Sequence, residues 1–478
     1  MRLLHATAEA VPFAKTGGLA DVLGALPAAQ AAAGHDVLVV HPWYAALRAD
    51  PPPLWIGDVS VPFDGGSVSV GVGTRDVTDR AGDTRRFAFV GHEAFRRPAL
   101  YGYPDDAWRF ALFARAVPEV AARLGFAPDV VHVHDWHAAL LPALLRHGDH
   151  VPSGSAGRPT VLTVHNAQYQ GHADAADVVR WARLPGELAG PLALHGRGNL
   201  LHAGLVTADR VTTVSPGYAR ELGEGGVGYG LDATFAALGP RLSGILNGLD
   251  DVAFDPATDP ALAHAFAADD LAGKRRCKEA LEAELGLEAG RPLLGLVSRF
   301  ADQKGIDLLI AAVPDLIDQG WNLAVLGAGD PGLEQAARSA FARHPGRVAG
   351  RVGYDDALAR RIYAGADALA LPSRFEPCGL AQLIAMRYAT LPVARATGGL
   401  ADTIDDDRTG FLFTDATPAA LADALRRARE AYDDEARWAV RRSAAARERF
   451  GWDRAVAAYD ALYGAARAER TRADGGRP

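Results

Sequence analysis

Cysteine is nearly missing from this 478-residue chain, which carries only Cys277 and Cys378. That excludes a disulfide framework and a cysteine-rich zinc cluster, and it fits a reducing cytoplasm. No apolar run reaches the length of a membrane span, so no membrane partner is expected. The opening stretch MRLLHATAEAVPFAKTGG has no sustained apolar core and carries Glu9 and Lys15 early, so no signal peptide is expected. Positive charge is in deficit: 50 Lys and Arg stand against 58 Asp and Glu, a net charge of −8. This argues against a nucleic-acid partner, although a few local cations suffice for an anionic small ligand. No P-loop and no G-x-S-x-G elbow occurs.

Apolar residues are plentiful, at 49% beside 23% charged, which is the balance of a soluble globular protein. The length exceeds what one ordinary core accommodates, so two domains are expected. Short apolar runs alternate with longer helical patterns. The first half has RLLHATAE, DVLVVHP, DVVHVHDWH, TVLTVHN and RVTTVSP; the second has PLLGLVSR, NLAVLGAG, RVAGRVGY, ALALPSR and TLPVARAT. Strands spaced by helices mean βαβ units and parallel sheets. The pattern restarts near Pro292 after ILNGLDDVAFDPATDP, placing a domain junction around 240–260. Residues 52–92 read instead as short hairpins inserted in the first half. Helical stretches are expected at 433–449 and 452–466, ending in the tail RTRADGGRP.

The hexapeptide TGGLAD occurs twice, at 16–21 and 397–402. Each copy sits where a loop opens a helix, so Gly-Gly lets the backbone turn sharply and the free N–H groups favour phosphate. In the first copy Lys15 directly precedes the hexapeptide. The second copy reads equally well as a tight turn. In GAGDPG, Gly327, Gly329 and Gly332 complete G-x-G-x-x-G, yet it follows the second strand of its half and lacks the later acidic residue, so it reads as a strand-to-helix turn near a nucleotide. SRFADQKGID places Arg299 and Lys304 at the carboxyl end of a strand, where parallel sheets bind ligands. PSRFEPCGLAQ places Glu376 at another strand end and opens a helix at Cys378, Gly379 and Leu380. Glu376 offers a carboxylate for sugar hydroxyls; Cys378 has no paired base and reads as a small buried thiol. HVHDWHAAL puts His132 and His134 on one strand face, a metal-like pair without the further ligands zinc wants. Asp135 and Trp136 there suit a sugar site, a carboxylate beside an aromatic face. His165 and Asn166 end another strand, and Asp405 to Asp407 read as a solvated turn.

Taken together, KTGGLADV, HVHDWHA, TVHNAQYQG, HAGLVTADRVTTVSP, YGLD, ILNGLD, SRFADQKGID, LGAGD, GYDDALARRIYAGAD, LPSRFEPCGLAQLIAMRYATLPVARATGGLADT and GFLF resemble, in order and over nearly the whole chain, the bacterial glycogen synthase and plant starch synthase family. The resemblance implies an α/β fold of two Rossmann-like parallel-sheet domains facing across a deep cleft (GT-B). It implies an N-terminal domain over 1–245, a donor-side domain over 246–455, a terminal helix at 456–466 packing back on the first domain, and a disordered tail at 467–478. It implies a retaining glucosyltransferase that moves glucose from ADP-glucose to the non-reducing end of an α-1,4-glucan, elongating glycogen, with no cofactor and no metal. A homo-oligomer is left open.

Residue by residue, the resemblance places Lys15, Gly17 and Gly18 near the donor phosphates and has Arg299 and Lys304 neutralise the leaving diphosphate. Glu376 binds glucosyl hydroxyls, and Cys378, Gly379 and Leu380 form the helix-start contact. His165 lies under the sugar ring, Asn247 helps hold the glucose, and Tyr354 lies against the adenine. Asp21, Asp135, Trp136 and Asn166 line the sugar and acceptor side. His202 stands where the family usually has lysine before AGL, which leaves open an altered glucan contact or an altered structural ion pair; the loop around 80–105 is shorter than in relatives, which leaves acceptor preference open.

Retaining hydrolases pair two close carboxylates, whereas Glu376 looks alone, which favours front-face return. Fixed cations then do what a metal would do. The site is expected to complete as the two halves close, excluding water. A glucan phosphorylase would need a pyridoxal-phosphate lysine, but Lys274, Lys278 and Lys304 are the only lysines after residue 273, and none has that setting. A non-catalytic glucan-binding scaffold would have an eroded cleft, yet Lys15, Arg299, Lys304 and Glu376 are all present.

Overall fold

The computed structural model describes residues 1–45, 52–78, 82 and 84–475. The apolar runs become strands buried on both faces, as parallel sheets require: Val130–His134 and Thr160–Val164 are buried at every residue. The chain divides into two compact units, one of Met1–Gly248 with the segment from Trp452 onward, the other of Leu249–Gly451. The crossings thus fall at 248/249 and 451/452, against 245/246 and 455/456 expected. They run close together. A Cβ on Gly248 would lie 2.6 Å from the Trp452 ring, and Leu249 N–H donates to Phe450 O at 2.7 Å.

The first unit is built on a nine-stranded sheet in the order Leu242–Gly244, Arg210–Thr213, Thr160–Val164, Val130–His134, Arg2–Ala6, Asp36–Pro42, Thr84–Gly91, Gly66–Thr78, Leu54–Phe63. All neighbours are parallel as far as Thr84–Gly91; Gly66–Thr78 then pairs antiparallel with both of its neighbours. The expected hairpins of 52–92 therefore extend the parallel sheet as a meander. Part of the shortened loop noted around 80–105, residues 80, 81 and 83, lies outside the described residues.

The last helix corrects the sequence reading. It runs from Trp452 to Gly475, so the segment expected as a tail is helical from 467 through 475, while 476–478 lie outside the described residues. Its sequence, rich in Ala and Arg, favours helix, and it is pinned along its length. Tyr459 and Tyr463 are fully buried, Arg210 pairs with Glu469 at 3.0 Å, and Arg470 Nε donates to Gly157 O at 3.0 Å.

The second unit carries a six-stranded, wholly parallel sheet in the order Val348–Val352, Asn322–Gly327, Leu293–Val297, Ala368–Leu371, Leu391–Arg395, Phe411–Phe413. Buried beneath it, Lys274 on the helix Ala272–Leu285 donates from Nζ to Ala364 O (2.9 Å), Tyr388 O (2.9 Å) and Thr390 Oγ1 (2.6 Å). Ala364 and Tyr388 end the helices Asp356–Gly365 and Ala381–Arg387, so one amine satisfies orphan carbonyls at the negative ends of two helices. Lys274→Met keeps the apolar stem and strands those acceptors. The expected loss is about 3 kcal/mol, measured as a drop of the second unit's calorimetric transition; an unchanged transition would refute the capping role. No helix among the described residues is long and apolar enough to cross a membrane.

Candidate functional site

In each sheet the strand order reverses beside the unit's first strand, and open parallel sheets bind ligands at the carboxyl ends next to that reversal. In the second unit this point lies between Leu293–Val297 and Ala368–Leu371. The loops leaving these two strands are zipped together. Gln303 Nε2 donates to Phe375 O (3.2 Å), Arg374 N–H to Gln303 O (2.8 Å), and Arg374 pairs with Asp307 at 2.7 Å. Gly305 takes φ +63°, and a side chain there would collide with Pro372 O. This stitching brings Lys304 Nζ to 2.5 Å from Glu376 Oε2, which also accepts from Ser373 Oγ at 3.0 Å. Glu376 is 6% exposed. Arg299 is exposed, and its guanidinium has no carboxylate or carbonyl partner among the described residues. Beyond Glu376, Gly379 takes φ +76°, and the amides of Gly379 and Leu380 meet no acceptor among the described residues. The four expected features of this loop pair, Arg299, Lys304, Glu376 and the open amides, are thus collected at one sheet end. Cys378 is buried, as expected of a small thiol. Tyr354, 84% exposed, offers a free ring just after the strand Val348–Val352.

The second TGGLAD does not offer an anion site. Gly399 donates its N–H to Glu376 O at 3.0 Å, and a side chain there would collide with Cys378 O. Gly399 is therefore a packing glycine that buttresses the Glu376 loop. The same holds for GAGDPG: a side chain on Gly327 would strike Ser298 O, and one on Gly329 would strike Phe300 O. Close approach to the Arg299 loop demands them, and no dinucleotide is needed to explain them.

In the first unit the reversal lies between Arg2–Ala6 and Val130–His134. The helix Gly18–Ala32 opens here, and a Cβ on Gly17 or Gly18 would meet nothing within 4 Å, so these glycines leave open space. The expected phosphate contacts are nevertheless partly taken. Glu9 accepts from Thr16 N (2.5 Å), Thr16 Oγ1 (2.6 Å), Tyr101 OH (2.8 Å) and, more weakly, Gly17 N (3.3 Å). Lys15 Nζ lies 2.7 Å from Asp21 Oδ1. Sequence reading passed over Glu9, whose only signal is its place three residues past a strand end, and passed over Tyr101 and Ser373.

Asp135 sits at φ +55°, nearly buried, with Oδ1 accepting from His165 N–H at 2.6 Å. Burial pushes its carboxyl up to about 7, against the pull of the His165 and Asn166 amides. His165 is held neutral, lowered to about 3 by burial. Asn166 Oδ1 closes a turn onto Gln168 N–H at 3.0 Å. Asn247 is buried, and its Oδ1 has no partner among the described residues, which marks it for a ligand donor. Trp136 departs from expectation. It is 8% exposed, edge-on to Phe110, and a side chain on Gly171 would strike its ring. Its faces belong to the core, not to a sugar. His202 Nδ1 lies 3.1 Å from Thr234 Oγ1, joining the helices Leu200–Thr207 and Asp232–Leu238. The metal-like group His5, His132 and His134 has every ring nitrogen engaged by a protein partner, so an ion would displace hydrogen bonds already made.

Residues 2–237 match the model of the starch synthase catalytic domain, and residues 291–430 that of glycosyl transferases group 1. The chain is 48% identical to a glycogen synthase of Deinococcus deserti and 46% identical to one of Deinococcus radiodurans, each alignment covering 97% of this chain and 99% of the relative. Its structure is similar to the catalytic domain of starch synthase IV from Arabidopsis thaliana bound to ADP and acarbose, with a TM-score of 0.88, 34% identity and 98% and 99% of the two chains covered. It is similar in fold alone to a sucrose-phosphate synthase from Thermosynechococcus elongatus, at TM-score 0.60 and 20% identity over 97% and 98% of the chains. The chain has the two-Rossmann GT-B fold and belongs to the glycogen synthase and starch synthase family of glucosyltransferases.

Proposed function

We propose that this glucosyltransferase takes ADP-glucose as donor and the non-reducing end of an α-1,4-glucan as acceptor, retains the anomeric configuration, elongates glycogen in the cytoplasm and needs no metal. The observation that carries the reading is the Lys304–Glu376 pair at 2.5 Å beside the unpartnered Arg299 guanidinium. Two fixed cations at a sheet end suit a diphosphate, and the buried carboxylate suits a sugar hydroxyl. The open Gly379 and Leu380 amides add donors, and the exposed Tyr354 ring suits an adenine face. The starch synthase relative of known structure is bound to ADP and acarbose, a nucleotide and a sugar chemistry that match these groups. In the first unit, Lys15 and Gly18 favour the donor phosphates, Asn247 and His165 the glucosyl unit, and Asp21, Asp135 and Asn166 the acceptor.

The reaction balances without a protein nucleophile. The bond from C1 to the diphosphate oxygen breaks, the acceptor 4-hydroxyl oxygen bonds to C1 on the same face, and its proton passes to the departing phosphate oxygen. Negative charge grows on the diphosphate, where Lys304 and Arg299 act. Initial rates of transfer onto glycogen from ADP-glucose and UDP-glucose test the donor. Fast transfer from ADP-glucose is expected; preference for UDP-glucose would overturn the donor assignment and leave the fold intact.

A further inference from the structure

The first unit holds a chain of buried hydrogen bonds that ends at His165. Gln30, on the helix Gly18–Ala32, donates from Nε2 to Tyr463 OH at 2.8 Å and accepts at Oε1 from His5 Nε2 at 2.8 Å. His5 Nδ1 lies 3.0 Å from His134 Nε2, and His134 Nδ1 lies 3.1 Å from His165 Nε2. A side branch runs from Tyr463 OH to His132 Nδ1 (2.8 Å), and His132 Nε2 reaches Thr163 Oγ1 (2.6 Å). Gln30, His5, His132, His134, Thr163 and Tyr463 are all fully buried.

Hydrogen-bond polarity turns these distances into proton positions. An amide carbonyl carries no hydrogen, so His5 Nε2 must donate. Burial holds His5 at about 4 and His134 well below its ordinary value, so each ring is neutral and has one proton. His5 Nδ1 is then bare and accepts from His134 Nε2–H; His134 Nδ1 is bare and accepts from His165 Nε2–H. His165, also neutral, is left with a bare Nδ1 that has no partner among the described residues. Turning the Gln30 amide over would reverse these bonds and move the proton to Nδ1 on His5, His134 and His165, the less stable imidazole tautomer. The direction in the structure keeps these three rings in the better one.

We propose that Gln30 is a positioning residue. Through His5 and His134 it fixes the tautomer of His165, whose Nδ1 is thereby kept as an acceptor for a hydroxyl of the bound glucosyl unit. The inference rests on the proposed role of His165, and second-sphere partners that fix a histidine tautomer are elsewhere worth about 10–100-fold in activity.

Long-range proton–nitrogen correlation spectra of the unliganded protein labelled with 15N-histidine test this without substrate, His165 being assigned by loss of its signals in His165→Gln. The expected result is a pyridine-type Nδ1 and a pyrrole-type Nε2 for His165. Gln30→Met should spread the proton over both nitrogens and lower kcat about tenfold with donor KM little changed. Gln30→Glu, which presents an acceptor to His5 whether or not it is protonated, should restore the spectrum and the rate. A wild-type His165 protonated on Nδ1 overturns the proposal, as does an unchanged tautomer and rate in Gln30→Met. Full transfer by His165→Ala overturns the positioning role through failure of the site reading, even with the tautomer intact. If Gln30→Met does not fold, a wild-type His165 protonated on Nδ1 still overturns the relay, and Gln30→Glu still reports whether the acceptor facing His5 sets the rate.

Discussion

Lys304→Ala is expected to lower turnover by about 10²–10³, with a smaller change in donor affinity. Before substrate arrives, Lys304 and Glu376 neutralise each other at 2.5 Å in a site where Glu376 is almost wholly buried. A diphosphate entering beside Arg299 gives Lys304 a second anion, and the attraction grows as the bond to C1 breaks and charge moves onto the leaving oxygen. Only stabilisation gained in the transition state raises kcat, and removing one such preorganised donor costs about 10²–10³ elsewhere. The alanine variant also leaves Glu376 buried without its cation. Lys304→Ala combined with Glu376→Gln, compared with Glu376→Gln alone, separates the two effects: if the cation itself is the agent, removing it costs turnover in both backgrounds. Steady-state kinetics with saturating glucan measures this. A loss below tenfold at unaltered ADP affinity would count against a leaving-group role.

Asp135→Asn is expected to make the protein more stable at pH 8 and less active. Asp135 stands at φ +55°, a backbone region that asparagine occupies readily, and its carboxyl is pushed up to about 7 by burial. An unfolded aspartate titrates near 3.9. Between about pH 4 and 7 the folded chain holds this proton more tightly, so the contribution of Asp135 to stability falls as pH rises through that window and stays low above it. Asparagine has no proton to lose. The gain at pH 8 should be about 2 kcal/mol, below the full value of the shift because one amide oxygen replaces two carboxylate oxygens facing the His165 and Asn166 amides. Thermal melts of wild type and variant at pH 5 and pH 8 read this directly: the variant should melt higher at pH 8, and the gap should shrink at pH 5. An equal gap at both pH values would mean that Asp135 does not carry the strain. Activity should move the other way, because the charge beside His165 and Asn166 is what the acceptor side is proposed to use.

The parts of this molecule that were legible in the sequence are those where one physical rule dominates. Strands buried on both faces read as unbroken apolar runs, and the residues just past them, Arg299, Lys304, Glu376, Asp135 and His165, had to lie at sheet ends whatever the details of packing. Other features depend on partners distant in sequence. TGGLAD reads identically in both copies, yet Gly17 and Gly18 face open space while Gly399 is wedged against the Cys378 carbonyl. Nothing local separates an open glycine from a packed one. Trp136 reads as a sugar platform until Phe110 and Gly171 take up its surroundings. Glu9 makes four contacts to Thr16, Gly17 and Tyr101, and the pairing with Tyr101 spans 92 residues. The tail was misread because RTRADGGRP looks polar and frayed, whereas Arg470 at its start and Glu469 just before it fasten the helix to Gly157 and Arg210.

The central claim is that Arg299 and Lys304 hold the diphosphate with no metal. Calorimetric titration of ADP into the protein, once in EDTA and once with magnesium, tests it most directly. The account predicts the same dissociation constant in both, weakened in Arg299→Ala and in Lys304→Ala. Binding that appears only with magnesium, or that is indifferent to both substitutions, would contradict it.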